Sequence, residues 1–363
     1  MGCVGRDKRE LEDYLRNNDE LWESLGLSGC PELELHELGM GEHNLNYWFA
    51  DSSGRKFVLR VNVASQPFHA NQVAYEFEAL RSLGPSGRTP EPLFLDDSPK
   101  SPGKGALVIG FCEGSELDFD HVRPGDLRCV AQIMADVHAV PVDENCGLHR
   151  PRDPLCDLYE ECLERFEMYR ASAFEDARIT RWARAFIAAA EPMTRVPCER
   201  ADCMHIVNTE TLPSHFLIPE HSANEAAAAG HAGRFCADPG SFIDWERPII
   251  GEVAQDVAYF VSPTTTFWDS EFLFPASDVD AFVEDYWRAV DGRFPRGNFD
   301  ERFRAFRMMT ALRSVTWCCR ALITYGAQDG VGDRHTTDKT ARKLPIYLSD
   351  DFMEMLAAEC FVL

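Results

Sequence analysis

Lysine is scarce in this sequence. Only Lys8, Lys56, Lys100, Lys104, Lys339 and Lys343 stand among the 36 basic residues, and arginine supplies the other 30. Against them are 60 acidic residues, for a formal net charge of −24 and an isoelectric point near 4.8. A chain so poor in positive charge lacks the basic surface of a nucleic-acid binder, which sets that class aside. The acidic surface serves solubility and also suits cationic small substrates. The preference for arginine fits a GC-rich genome or a saline cytoplasm equally well.

No apolar run approaches the roughly 18 residues of a membrane span. Charged residues fill positions 6–10, where a secretory leader would be apolar. The expectation is a cytoplasmic protein with no membrane partner. Cys-x-x-Cys pairs are absent: the 13 cysteines are odd in number and scattered. Cys198, Cys203 and His205 lie close together but fit no zinc spacing. Reduced buried thiols follow. Met1, Gly2 and Cys3 look like an acylated start, but Arg6 occupies the position that needs Ser or Thr. The last residues, from Cys360 to Leu363, fit the prenylation pattern formally and read as an apolar tail. Lys104 sits in a glycine-bearing turn without the spacing of a P-loop.

What is present is an ordinary globular composition, 45% apolar and 26% charged, in a chain of 363 residues, long enough for two lobes. Residues 7–25 carry apolar positions at helical spacing, with Leu11, Leu15 and Leu25 among them. From 32 to 63 the period becomes strand-like. Residues 45–50 and 56–61 flank a turn ending at Gly54, which predicts a hairpin. Gly39 and Gly41 precede the first of these strands, where bare backbone can approach a phosphate or simply turn. Arg60 lies near the end of the second strand, and residues 69–83 predict a helix bearing Glu76 and Glu78. Residues 106–112 read as a buried strand, and Gly114 marks a break where the chain can cross between lobes. Helices are then expected over 126–140, 154–169, 177–190, 278–290, 300–325 and 349–358. Residues 220–240 and 328–343 are expected to be loop.

The most informative stretch runs from Asp202 to Glu246. Two polar or acidic clusters abut short apolar runs there. One contains Asn208, Glu210 and His215 and leads into Phe216, Leu217 and Ile218. The other follows Phe242 and Ile243 with Asp244, Trp245 and Glu246. Carboxylates at the mouths of buried strands hold hard cations such as Mg²⁺ against phosphates.

Taken in order, these features resemble the aminoglycoside phosphotransferase and choline kinase-like family, the small-molecule branch of the protein-kinase-like fold. The residues that carry the resemblance are the glycine loop with Asn44 and Tyr47, the strand ending in Arg60, and the helix with Glu76. They continue with Asp136 and His138 before Pro141, the segment from Asn208 to Ile218, the run Ile243 to Glu246, and Asp256 with Ala258. The resemblance covers roughly residues 38–258, and the run Ile243 to Glu246 is its most specific piece. It implies an α+β, two-lobed fold with a small antiparallel-sheet N-lobe over residues 1–112 and a mainly helical C-lobe over 113–363. It further implies MgATP between the lobes and a small-molecule hydroxyl substrate. Gly41, Asn44, Arg60, Glu76, Ile109, Phe111 and Cys112 would line the nucleotide, with Arg60 paired to Glu76, and Asp244 would hold Mg²⁺.

The catalytic loop departs from the family pattern of His-Gly-Asp, four residues, then Asn. Here the matching positions read Asn208, Thr209, Glu210 and, after four intervening residues, His215; Pro213 and the run Phe216 to Ile218 fix the register. Glu210 therefore stands where the catalytic aspartate would be, and His215 where a metal-binding asparagine would be. Glutamate keeps the acid–base chemistry at one methylene more reach, and a misplacement of about 1 Å can lower a rate on the order of a hundredfold. Neutral imidazole suits Zn²⁺ or Mn²⁺ better than Mg²⁺. Two other readings stay open: a nucleotide-binding or scaffolding protein without transfer activity, and transfer of another group such as a nucleotidyl unit. Trp268, Tyr286, Trp287 and Trp317 could together enclose a quaternary ammonium, or simply fill the helical core.

Overall fold

The structure is a computed structural model that describes residues 8–29, 32–40, 44–63, 71–198, 204–229, 234–326 and 338–361. The chain opens with α1 (Lys8–Arg16) and α2 (Asp19–Ser24). Strands β1 (His36–Met40), β2 (Asn44–Ala50) and β3 (Lys56–Asn62) follow, then α3 (Gln72–Leu83), β4 (Pro92–Asp96) and β5 (Ala106–Gly110). The five strands form one antiparallel sheet in the order β1-β2-β3-β5-β4.

Period-two alternation divides that sheet chemically. Leu45, Tyr47 and Phe49 of β2, Phe57, Leu59 and Val61 of β3, and Ala106 and Val108 of β5 share an apolar cluster with Leu11, Leu15, Leu21 and Trp22 of the N-terminal helices. The other face carries Asn44, Asn46 and Trp48, Val58 and Arg60, and Leu107 and Ile109. Arg60 is registered opposite Asn46 and Leu107. Polar groups on this inner face are what the cleft receives.

The chain then enters the helical lobe through β6 (Ser115–Glu116). It runs on through α4 (Asp126–His138), α5 (Pro154–Arg170), α6 (Ala177–Ala190), β7 (His205–Val207), β8 (Phe216–Ile218), α7 (Glu220–Ala228), β9 (Ser241–Phe242) and β10 (Ile249–Gly251). It closes with α8 (Val253–Phe260), α9 (Pro263–Asp269), α10 (Ala276–Val290), α11 (Phe299–Gly326), α12 (Asp338–Tyr347) and α13 (Asp350–Leu356). Helix α4 is buried along nearly its whole length. It packs on α10, while α11 packs on α5 and α8. Two short antiparallel pairs, β7 with β10 and β8 with β9, bring the segments around Glu210 and Asp244 side by side.

Several expectations are corrected. Where one helix was expected over 7–25, the described residues 8–24 form two, because Asn18 accepts the Leu21 N–H at 3.0 Å and starts a second one. The stretch 220–240 is not all loop. Residues Glu220–Ala228 are helical, since Ser222, Ala223 and Ala226 are small enough to lie flush against α4. Residues 338–343 belong to α12 rather than to a loop. Among the described residues, every cysteine is a free thiol and no helix is long and apolar enough to cross a membrane.

Candidate active site

The backbone of the loop bearing Glu210 is fixed from beneath by Asp256 of α8, which is fully buried. Its Oδ2 accepts the Asn208 N–H at 2.8 Å and its Oδ1 the Thr209 N–H at 2.8 Å. His138, at the end of α4, puts Nε2 3.1 Å from the same carboxylate and Nδ1 2.9 Å from the Tyr286 hydroxyl. Two further bonds lock the turn: the Thr209 hydroxyl donates to the Arg247 carbonyl at 3.1 Å, and the Asn208 amide donates to the Asp244 carbonyl at 2.8 Å. This over-determination lets Thr209 sit at φ 71° and Asp244 at φ 64°. Left-handed backbone at a non-glycine residue stores about 1–3 kcal/mol and collects at functional sites.

Arg60 joins the two lobes. From β3 its Nε lies 3.0 Å from Glu76 of α3, and its Nη2 lies 2.6 Å from Asp244 Oδ1 and 2.5 Å from Glu246 Oε1. Asn44 donates to Glu246 Oε1, and Gln72 Nε2 donates to the Glu246 carbonyl at 2.5 Å. Three carboxylates thus share one guanidinium. Burial, with the Arg60 charge opposing it and Asp244 adding to it, pushes the Glu76 carboxyl up to about 7. Burial and the charge of Asp244 push Glu246 up to about 8. Burial disfavours the Arg60 cation, but Glu76, Asp244 and Glu246 outweigh it and hold the group charged.

Such an excess of negative charge fits a hard divalent cation. Asp244 is the most open of the three carboxylates, with 31% of its side chain exposed, and His215 Nε2 lies 3.3 Å from its Oδ2. Among the described residues, His215 Nδ1 is buried without a partner. Among the described residues, no group of three or more His, Cys, Asp or Glu is arranged as a complete ligand set. This agrees with a cation held by one or two carboxylates and completed by substrate phosphates.

Glu210 is placed beside this cluster, but its carboxylate is engaged. Arg313 Nη2 of α11 lies 2.6 Å from Glu210 Oε1, and Arg247 Nη1 lies 3.3 Å from the same atom. Burial would raise this carboxyl, yet Arg313 and Arg247 hold it below the usual range. Of the expected nucleotide-lining residues, Asn44, Arg60 and Glu76 come together at Asp244. Ile109 ends the inner face of β5, and Phe111 and Cys112 follow at the junction of the lobes. Phe111 also lies under Lys56 Nζ, 4.7 Å from the ring centre. Gly41 lies outside the described residues. The four aromatics do not make one cage: Trp268 meets Trp317 at 5.5 Å, whereas Tyr286 and Trp287 pack on Phe299.

Glu246 and Asp256 stood inside the motifs but were given no role from sequence. Arg247, Arg313 and Glu161 of α5 were not singled out. An arginine on an amphipathic helix gives no local sign that it closes on a loop a hundred residues away.

The fold is the protein-kinase-like fold of small-molecule kinases. The model of the family described as "Phosphotransferase enzyme family" matches residues 34–199. Over those residues the chain is similar to that family, and the altered catalytic loop described above lies beyond the matched segment. Among solved structures, a spectinomycin phosphotransferase in complex with ADP and spectinomycin is 9% identical with a TM-score of 0.62, covering 99% of this chain and 100% of its own. An ethanolamine kinase of Plasmodium vivax is 14% identical with a TM-score of 0.62, covering 97% and 93%. An amicoumacin kinase in complex with AMP-PNP and Ca²⁺ is 12% identical with a TM-score of 0.58, covering 94% and 96%. At these identities the structural likeness is one of fold. No curated protein matches the sequence.

Proposed function

We propose that the protein is a cytoplasmic, ATP-dependent kinase that moves the γ-phosphate to a hydroxyl of a small molecule. The observation that supports this most directly is Arg60, which pairs with Glu76 at 3.0 Å and reaches Asp244 at 2.6 Å, so that one guanidinium joins groups from both lobes. In this reading residues 1–112 form the nucleotide lobe and 113–363 the lobe carrying the catalytic loop and acceptor site. Gly41, Asn44, Arg60 and Glu76 serve the phosphates, and the backbone at Ile109, Phe111 and Cys112 serves the adenine. Asp244, with His215 beside it, would hold Mg²⁺, which neutralises charge on the phosphates. Glu210 accepts the proton of the acceptor hydroxyl.

Measuring ADP release from MgATP with candidate hydroxyl compounds tests this, using the native protein, Glu210→Ala and Asp244→Ala. Turnover lost in both variants is the expected result. A second reading, nucleotide binding without transfer, is favoured by the engagement of Glu210 with Arg313 and Arg247. It requires thermal stabilisation by MgATP, about 2.7 kcal/mol at a hundred times the Kd, with no ADP from any acceptor.

A further inference from the structure

In a chain of net charge −24, the ground beside Glu210 is rich in arginine. Arg313 lies 2.6 Å from Glu210 and its Nε 3.8 Å from Glu161. Arg247 lies 3.3 Å from Glu210 and 3.7 Å from Glu161, and Arg165 of α5 lies 2.5 Å from Glu161. Among the described residues, three guanidiniums face the carboxylates of Glu161 and Glu210. Arg165 Nη1 is, among the described residues, a buried donor without a hydrogen-bond partner, which folding leaves unmade only at a cost. Arginines converging on a carboxylate are the arrangement by which proteins recognise oxyanions. Here the carboxylate they hold is the one needed as base.

We propose that the acceptor carries an oxyanion, a carboxylate or a phosphate ester, which takes Arg313 and Arg247 away from Glu210 and so frees the base. The inference rests on the kinase reading above. With the acceptor's anion on the arginines, its hydroxyl oxygen bonds to the γ-phosphorus. The bond from that phosphorus to the β,γ-bridging oxygen breaks, and ADP leaves with that oxygen. The hydroxyl proton passes to Glu210 and then to water. A neutral acceptor leaves the ion pairs closed and the base occupied; a cationic one would also be repelled by the guanidiniums of Arg313 and Arg247.

The test reads thermal stabilisation at constant ionic strength with chloride as the balancing ion. MgATP alone comes first: if it does not stabilise the protein, the kinase reading fails and this inference with it. Gluconate and inorganic phosphate are then titrated in saturating MgATP, against glucose and choline. The expected result is saturable stabilisation by the two anions only. It should weaken at least about tenfold in Arg313→Gln and in the more exposed Arg247→Gln, the range expected for losing a charge-assisted bond. Glu210→Gln should bind the anions several-fold more tightly, because the internal competitor is gone. Loss of a merely structural ion pair would not tighten a ligand. MgATP binding with no saturable response to either anion, with equal responses in all four proteins, or with stronger binding of glucose or choline overturns the inference and leaves the kinase reading standing.

Discussion

Replacing Asp256 by asparagine tests how the catalytic loop is held. The side chain keeps its shape and volume, so packing is undisturbed in a fully buried position. One of the two oxygens becomes an NH₂ group. Whichever way the amide turns, that group faces a backbone N–H of Asn208 or Thr209 that now donates at 2.8 Å. At least one charge-assisted hydrogen bond is lost and the remainder weaken, which amounts to about 2–4 kcal/mol. With an entropy of unfolding of roughly 2.1 cal/mol/K per residue, a chain of this length should melt about 3–5 °C lower. The strained turn at Thr209, φ 71°, loses the contact that pins it. A shift of Glu210 by about 1 Å should lower transfer on the order of a hundredfold. Calorimetry and ADP release measure both quantities, with the exposed Asp278→Asn as a control expected within about 0.5 kcal/mol of wild type. A variant melting within about 1 °C of wild type and turning over normally would show that Asp256 does not shape the loop.

Three other outcomes follow from the charge cluster and the packing. Glu76 at about 7 and Glu246 at about 8 lie above their unfolded values, so the folded chain holds protons that the unfolded chain has released. Stability of the ligand-free protein should therefore fall as pH rises from about 6.5 to 8.5, and MgATP should flatten that slope in a melting series. His205, which burial pushes down to about 4, acts only below that window, since its own contribution is lost as pH falls beneath about 6.5. Arg60→Gln leaves the three carboxylates without their cation and should cost about 3–5 kcal/mol in denaturant unfolding. Its effect should be smaller at pH 6 than at pH 8, where fewer protons can compensate; an equal effect would count against the shared-cation arrangement. Gly125→Ala would put a Cβ 1.8 Å from the Ala223 carbonyl oxygen, so α7 must move off α4. Overpacking of this kind costs about 1–3 kcal/mol, measurable as a lower urea midpoint.

The order of the elements around the cleft is legible in the amino-acid sequence alone. The hairpin is legible because two strand-like runs, residues 45–50 and 56–61, flank a short turn ending at Gly54, and a turn between such runs is a local property. The run from Ile243 to Glu246, and the register set by Pro213, were legible for the same reason: each is contiguous, and each places its polar groups at the end of a short apolar strand. Tertiary structure decided what those groups touch. Arg60 to Asp244 spans 184 positions, and Arg313 to Glu210 spans 103. No periodicity distinguishes an arginine that will meet a distant carboxylate from one that will meet water. The helix at residues 220–228 was hidden for another reason: its alanines favour helix, but it has no stripe of large apolar residues to mark a buried face, and its small side chains acquire one only by packing on α4. Local pattern follows from backbone geometry and the separation of apolar from polar groups, both written within a few residues. Partnership between charges depends on which segments the folded core brings within a few ångströms, and only the packing of the whole chain supplies that.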